Sequence, residues 1–217
     1  MVNSSIAIGG IANAMQARQI AAMTKLNDTS SLLAFLKSRK SASAKAIAGP
    51  GPDASQLQDI LSIAVRVPDH GKLSPWRFVV FEGDAQGRVG EKFATRFEAL
   101  HPDYPADSIA FQKTLFTRAP VVVAVVSTAA AHAKIPVWEQ QMSAAAVCFT
   151  MVLAAQAHGF DAQWQSDWVA YDDGAKAAMG ITTDEKVAGI IYIGTSTVAL
   201  EERPRPDAKA LTTVWSS

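Results

Sequence analysis

Val67-Pro68-Asp69-His70-Gly71-Lys72-Leu73-Ser74-Pro75-Trp76-Arg77-Phe78-Val79-Val80 runs from a polar loop bounded by prolines straight into an apolar strand. Asp, His and Lys side chains are thereby set at the mouth of a packed core, where ligand sites form. Pro75 fixes its own φ and biases Ser74 toward extended backbone, so the spacing predicts a rigid exit into the strand.

Working outward, three runs rich in Val and Ile read as buried strands: Phe78–Phe81, Val121–Ser127 and Val187–Ile193. Helical patterns lie between and before them. Ser30 or Ser31 caps a helix over Leu32 to Arg39; Asp53 or Ser55 caps another with Leu57, Ile60, Leu61, Ala64 and Val65 on one face. Further patterns cover residues 85–100, 107–117 and 172–179. The longest, Val137–His158, is apolar nearly all round, a central or interface helix that Gly159 ends as its C′ residue. Helices and strands alternate without a regular βαβ rhythm, which favours an α+β layer fold over a doubly wound sheet. Residues 1–30 read as a weakly packed or helical extension and 31–217 as the domain proper. The tail from Glu201 is broken by Pro204 and Pro206 and ends with Trp215, apolar enough to wrap over another surface.

Composition narrows the function classes. Of the 217 residues 49% are hydrophobic and only 18% charged, with 20 Lys+Arg balancing 20 Asp+Glu. That balance argues against a nucleic-acid binder, and the apolar excess suggests a surface covered by a partner subunit or a cofactor. A lone Cys148 fits a reducing compartment and reads as a small core residue. The longest apolar stretch, Ala144 to Ala155, falls well short of the ~20 residues a bilayer needs. The first seventeen residues carry no Lys or Arg, so the cationic start of a secretory signal is missing and the cytoplasm is expected. His101, His132 and His158 are scattered, so no metal site is expected. Neither a glycine-rich phosphate fingerprint nor a nucleophile elbow occurs, and no catalytic dyad emerges.

Three polar constellations carry chemistry. Arg39-Lys40-Ser41 offers a fork of donors, a point charge and a hydroxyl, a phosphate-binding set, or simply cations complementing a helix C-terminus. Arg66 and His70 either face a polar aromatic ligand or stand in solvent with His70 paired to Asp69. Trp164, Gln165 and Ser166 place an aromatic in a polar run, as the wall of a planar ligand or as plain packing.

With Pro75-Trp76-Arg77-Phe78, Trp138-Glu139-Gln140, Met142-Ser143-Ala144 and the closing Ile191-Tyr192-Ile193-Gly194-Thr195 in register, the chain resembles the FMN-dependent nitroreductase family from about Leu32 to Thr195. The resemblance implies a mostly antiparallel sheet flanked by helices in an intertwined homodimer, with FMN at the subunit interface and NADH or NADPH as hydride donor. It implies an oxidoreductase acting on an electron-poor acceptor such as a nitroaromatic or quinone. A flavoprotein of the same fold running dehalogenation, enal or semialdehyde reduction or flavin breakdown, and a non-catalytic FMN-binding module, stand as alternatives. By the same resemblance Arg39, Lys40 and Ser41 hold the flavin's phosphate, ribityl chain and pyrimidine edge. Arg66 and His70 reach it from the partner subunit, and Trp164, Gln165 and Ser166 line the ring. Ala154, Ala155, Gln156, Ala157, His158 and Gly159 fall where some relatives rest the nicotinamide. Lys72, Ser74 and Gln165 depart from the family pattern, and Arg203 and Arg205 occupy a tail where relatives place phosphate-binding cations.

Overall fold

β3 (Val121–Ser127) is the spine of the molecule: all seven of its residues are buried, which requires both faces of the sheet to be covered. A computed structural model describes residues 25–216. Around β3 the sheet is built from β1 (Ile47–Ala48), β2 (Trp76–Glu82), β4 (Asp161–Gln165) and β5 (Lys186–Ser196), in the order β1-β5-β3-β2, with β4 also pairing β5. Every pairing is antiparallel. β5 runs past the expected Ile193 because Thr195 and Ser196 pair with β1, beyond the stretch that pairs with β4.

Register divides the side chains between two layers. Val121, Val123, Val125, Ile191 and Ile193 share one face with Ala162, and pack with Leu57, Ile60 and Ala64 of α2 (Ala54–Ala64) and Val147, Met151 and Val152 of α5 (Val137–Ala157). On the other face Phe81 and Tyr192 join an aromatic cluster with Phe116 and with Phe93 of α3 (Asp84–Leu100), ring centroids 4.9–6.3 Å apart. Such edge-to-face geometry adds specificity to apolar burial.

Local signals place the helix starts. Ser31 caps α1 (Leu32–Ser38) by accepting from the Ala34 N–H, and Asp53 with Gln56 forms a reciprocal capping box on α2. Gly159 and Gly180 take positive φ (86° and 72°) after α5 and α6 (Asp173–Ala178), as C′ residues do. Three expectations need correction. Val65 is the C-cap of α2 and 40% exposed, outside its buried face. The helix expected over 107–117 is α4, Ala106–Gln112, and the chain then turns so that Leu115 and Phe116 reach the core. The sheet holds five strands, where three runs were expected; β1 and β4 are short and owe their existence to pairing with β5.

By compactness the chain forms two units, Ser41–Val198 and a smaller one made of the described residues up to Lys40 with those from Ala199 onward. The expected extension over 1–30 falls outside the described residues up to position 24; residues 25–30 form turns. There the Asn27 side chain accepts the Lys40 N–H at 2.7 Å and the Ser38 hydroxyl accepts the Asp28 N–H at 2.9 Å. No helix among the described residues is long and apolar enough to cross a membrane.

Candidate functional site

The loop 67–75 is shaped by Asp69, whose carboxylate accepts the N–H groups of Leu73 (3.2 Å) and Ser74 (2.8 Å). Gly71, Lys72 and Ser74 all take positive φ: 74°, 56° and 47°. Ser74 is therefore left-handed and not extended; the Asp69 carboxylate, holding its N–H, outweighs the steric bias imposed by Pro75. Since Asp69 is committed to its own backbone, His70 pairs elsewhere. Its Nδ1 lies 2.7 Å from Oε2 of Glu139, in the first turn of α5. One helical turn on, the Ser143 hydroxyl donates to the Pro68 carbonyl at 2.6 Å. The buried Gln140 side chain binds the opposite loop, donating to the Ala130 and Ile135 carbonyls and accepting from the Ala130 N–H. The first two turns of α5 thus clasp two loops, and between loop and helix lies a hollow of about 350 Å³ lined by Pro68, His70, Trp138, Glu139, Met142 and Ser143. Its walls are apolar with a few convergent polar groups, the make-up of a small-molecule site. Arg66, expected beside His70, is exposed.

Trp164 and Gln165 leave β4 on opposite faces of the sheet, as successive strand residues must. The Trp164 indole lies over Gly189, donates its N–H to the Ala188 carbonyl at 3.3 Å and remains 39% exposed. Gln165 falls on the Tyr192 face, and the Ser166 hydroxyl accepts from Tyr171 at 2.8 Å. The two side chains Trp164 and Gln165 therefore cannot both lie against one side of a single ring. Beneath the indole, burial pushes the Cys148 thiol up to about 12, so it is neither a nucleophile nor a ready redox group.

In the smaller unit Arg39, the C-cap of α1, is half-buried. Its guanidinium is held below the ordinary arginine range first by burial and then by Arg205 and Arg203, against the pull of Glu202. Arg205 donates to Glu202 at 2.8 Å and to the Arg39 carbonyl at 3.2 Å. Among the described residues, three guanidiniums thus gather about Glu202, donors of the kind that bind anions. Lys40 and Ser41 follow, both half-buried.

The nicotinamide segment needs correction. Ala154, Ala155 and Gln156 are buried in the core, so their side chains cannot meet a dinucleotide. His158 pairs with Asp59 at 2.9 Å, and only Ala157 and Gly159 are exposed. The sequence assigns no role to Glu139, Gln140 and Ser143, although polar groups gathered in the first two turns of an otherwise apolar helix mark the end that faces a loop or a ligand.

The described residues form an α+β fold, with an apolar hollow in the larger unit and a cluster of cations in the smaller one. The Nitroreductase family model matches residues 36–195. "Putative NAD(P)H nitroreductase YdjA" of Escherichia coli (strain K12) is 35% identical over 165 residues, 75% of this chain and 87% of that protein. "Putative NAD(P)H nitroreductase" of Haemophilus influenzae is 33% identical over 174 residues, 80% and 92% of the two chains. The chain belongs to the Nitroreductase family. Among solved structures, a nitroreductase-like family protein from Bacillus cereus superposes with a TM-score of 0.73 at 17% identity, covering 89% of this chain and all of that one. A Bacteroides fragilis nitroreductase with bound FMN gives 0.61 at 21%, covering 83% of this chain and 96% of that one. These structural likenesses establish the shared fold.

Proposed function

We propose that the protein is an FMN-dependent oxidoreductase of the cytoplasm, using NADH or NADPH to reduce an electron-poor acceptor such as a nitroaromatic or quinone. The observation that carries this reading is the convergence, among the described residues, of Arg39, Arg203 and Arg205 beside Glu202. That donor set fits a phosphate monoester carrying about two negative charges. Lys40 and Ser41, next in the chain, would extend it along a hydroxylated tail. Trp164, anchored to Ala188 and still partly exposed, would offer the ring an aromatic wall. Gln165 and Ser166 would contribute by backbone or hydroxyl at the strand's end. Arg66 and His70 would approach from the partner subunit.

FMN, when bound, would supply the redox chemistry, taking hydride equivalents from the donor and yielding them to the acceptor. The chain's own work is then to hold and orient. Cationic side chains would neutralise the phosphate and apolar walls at the hollow would exclude water, with no acid, base or nucleophile required of the protein. Homodimerisation is supported by exposed apolar side chains: Trp138 and Met142 on α5 are 67% and 52% exposed. Leu33, Val214 and Trp215 are exposed likewise, at 62%, 83% and 84%. Patches of this kind mark surfaces that another chain covers.

The test is anaerobic. Purified protein should carry or take up FMN, bleach on addition of NADH or NADPH, and recover its colour when an acceptor from a nitroaromatic and quinone panel is added. Protein that migrates as a lone protomer and takes up no FMN would overturn the proposal. Yellow protein that neither nicotinamide bleaches would make it a binding module.

A further inference from the structure

The His70–Glu139 pair joins residues 69 positions apart in the chain, yet its two side chains are 64% and 47% exposed. Ion pairs this open contribute little to stability. The loop beneath does not depend on it either, being held by Ser143 on Pro68 and by Asp69 on Leu73 and Ser74. What Glu139 does determine is the state of the ring. An ionised carboxylate only accepts, so the Nδ1 that lies 2.7 Å from it carries the proton, and in neutral imidazole Nε2 is left with a lone pair.

Two other imidazoles are arranged in the reverse sense. The Nδ1 of His132 accepts the N–H groups of Lys134 (3.2 Å) and Ile135 (3.1 Å), and Nε2 of His158 meets Asp59 at 2.9 Å. Both require the proton on Nε2, the form that free imidazole side chains also favour. His70 is held in the less common form, and it does so at the rim of the hollow.

We propose that Glu139 is a positioning residue. It fixes the Nδ1–H tautomer of His70 and so presents Nε2 as a hydrogen-bond acceptor to a ligand bearing an imide N–H or a hydroxyl. The ligand half rests on the FMN reading, since the isoalloxazine edge and the ribityl chain carry both donor types; the tautomer half stands without it. A nitrogen fixed in this way favours a ligand edge that donates and disfavours one that only accepts.

The experiment reads both halves on the full-length protein. Long-range ¹⁵N–¹H spectra of the histidine rings above neutral pH, with His70 assigned by His70→Gln, report the tautomers; flavin fluorescence titration reports the FMN Kd. The expected result is an Nδ1–H pattern for His70 beside Nε2–H patterns for His132 and His158. Glu139→Ala should turn His70 to the Nε2–H pattern and weaken FMN by about three- to tenfold, the range for one neutral hydrogen bond. Ser143→Ala, which loosens the loop without touching the ring, should leave the tautomer as it is. An Nε2–H pattern in the unmodified protein, or an equal shift in Ser143→Ala, would overturn the proposal. A tautomer change with no change in FMN Kd would overturn the positioning role. If no form of the protein takes up FMN, the functional reading fails, while the spectra still decide the tautomer.

Discussion

Gly189→Ala is the substitution that most directly couples the core to the candidate site. Gly189 sits in β5 opposite Val125, beside the register shift between Val125 and Val126, and does not need a positive φ. Its lack of a side chain is instead occupied by Trp164: an added Cβ would lie 2.5 Å from the indole Cδ1 and 3.0 Å from the Cys148 sulfur. Cys148 is fully buried in α5 and cannot retreat, whereas Trp164 is 39% exposed and can swing outward. Displacing the indole breaks its bond to the Ala188 carbonyl, about 1 kcal/mol, and returns part of its buried area to water at about 25 cal/mol per Å². If about 60 Å² is re-exposed, that adds about 1.5 kcal/mol, for a total near 2.5 kcal/mol. Urea unfolding without FMN should show that loss. In a Trp164→Ala background the same change should be nearly neutral, because the space is then empty and alanine restricts the unfolded chain more than glycine. An equal loss in both backgrounds would refute the reasoning and place the clash at Cys148. Flavin titration adds a second readout: FMN should weaken in Gly189→Ala if the indole walls the ring.

Further outcomes follow from particular contacts. Arg77 holds Glu185 through two bonds of 2.6 Å, and this fork brings the Glu185 carboxyl down to about 2. A depressed carboxyl contributes stability that is present above its unfolded value near 4.5 and lost as pH falls toward 2. With Arg77 37% exposed, screening reduces this to about 1 kcal/mol, and Glu185→Gln should flatten the acid limb of a stability–pH curve by that amount. Asp53→Ala removes the capping box of α2 and should cost about 1 kcal/mol in thermal or urea unfolding, with Asp53→Asn retaining most of it. The Cys148 thiol, fully buried and pushed up to about 12, should react with a disulfide reagent only as fast as the protein unfolds; rapid labelling of native protein would contradict its burial. Arg39→Ala should weaken FMN by about 1.5–3 kcal/mol in the same titration, and unchanged affinity would refute the phosphate role.

Some elements were legible in the chain because their cause is local. Val121–Ser127 is an apolar run closed by one serine and buried on both faces, and its observed bounds coincide with that run. The capping residues Ser31 and Asp53 and the terminating glycines act within one helical turn, and all four stand where their chemistry predicts. β4 is hard to read for a different reason. Asp161-Ala162-Gln163-Trp164-Gln165 alternates, polar against apolar, but an aromatic in a polar run also fits the wall of a ligand, and a five-residue strand is decided by the β5 edge it pairs with. The two-residue β1 leaves no sequence trace of its own, since its partners Thr195 and Ser196 lie nearly the whole domain away.

The site divides along the same line. Arg39 stands out in the sequence beside Lys40, but its proximity to Arg203 and Arg205 needed the fold. For His70 the sequence leaves a pairing with its neighbour Asp69 open, yet a short acidic side chain at the start of a turn finds backbone N–H groups before it finds another side chain. That local commitment removes Asp69 from competition and leaves His70 to be paired by whatever the fold delivers to the rim. The fold delivers the first turn of α5, and with it Glu139. Proximity in sequence therefore misleads where the nearer group already has backbone to satisfy, and His70 pairs with the carboxylate that tertiary packing brings to the rim.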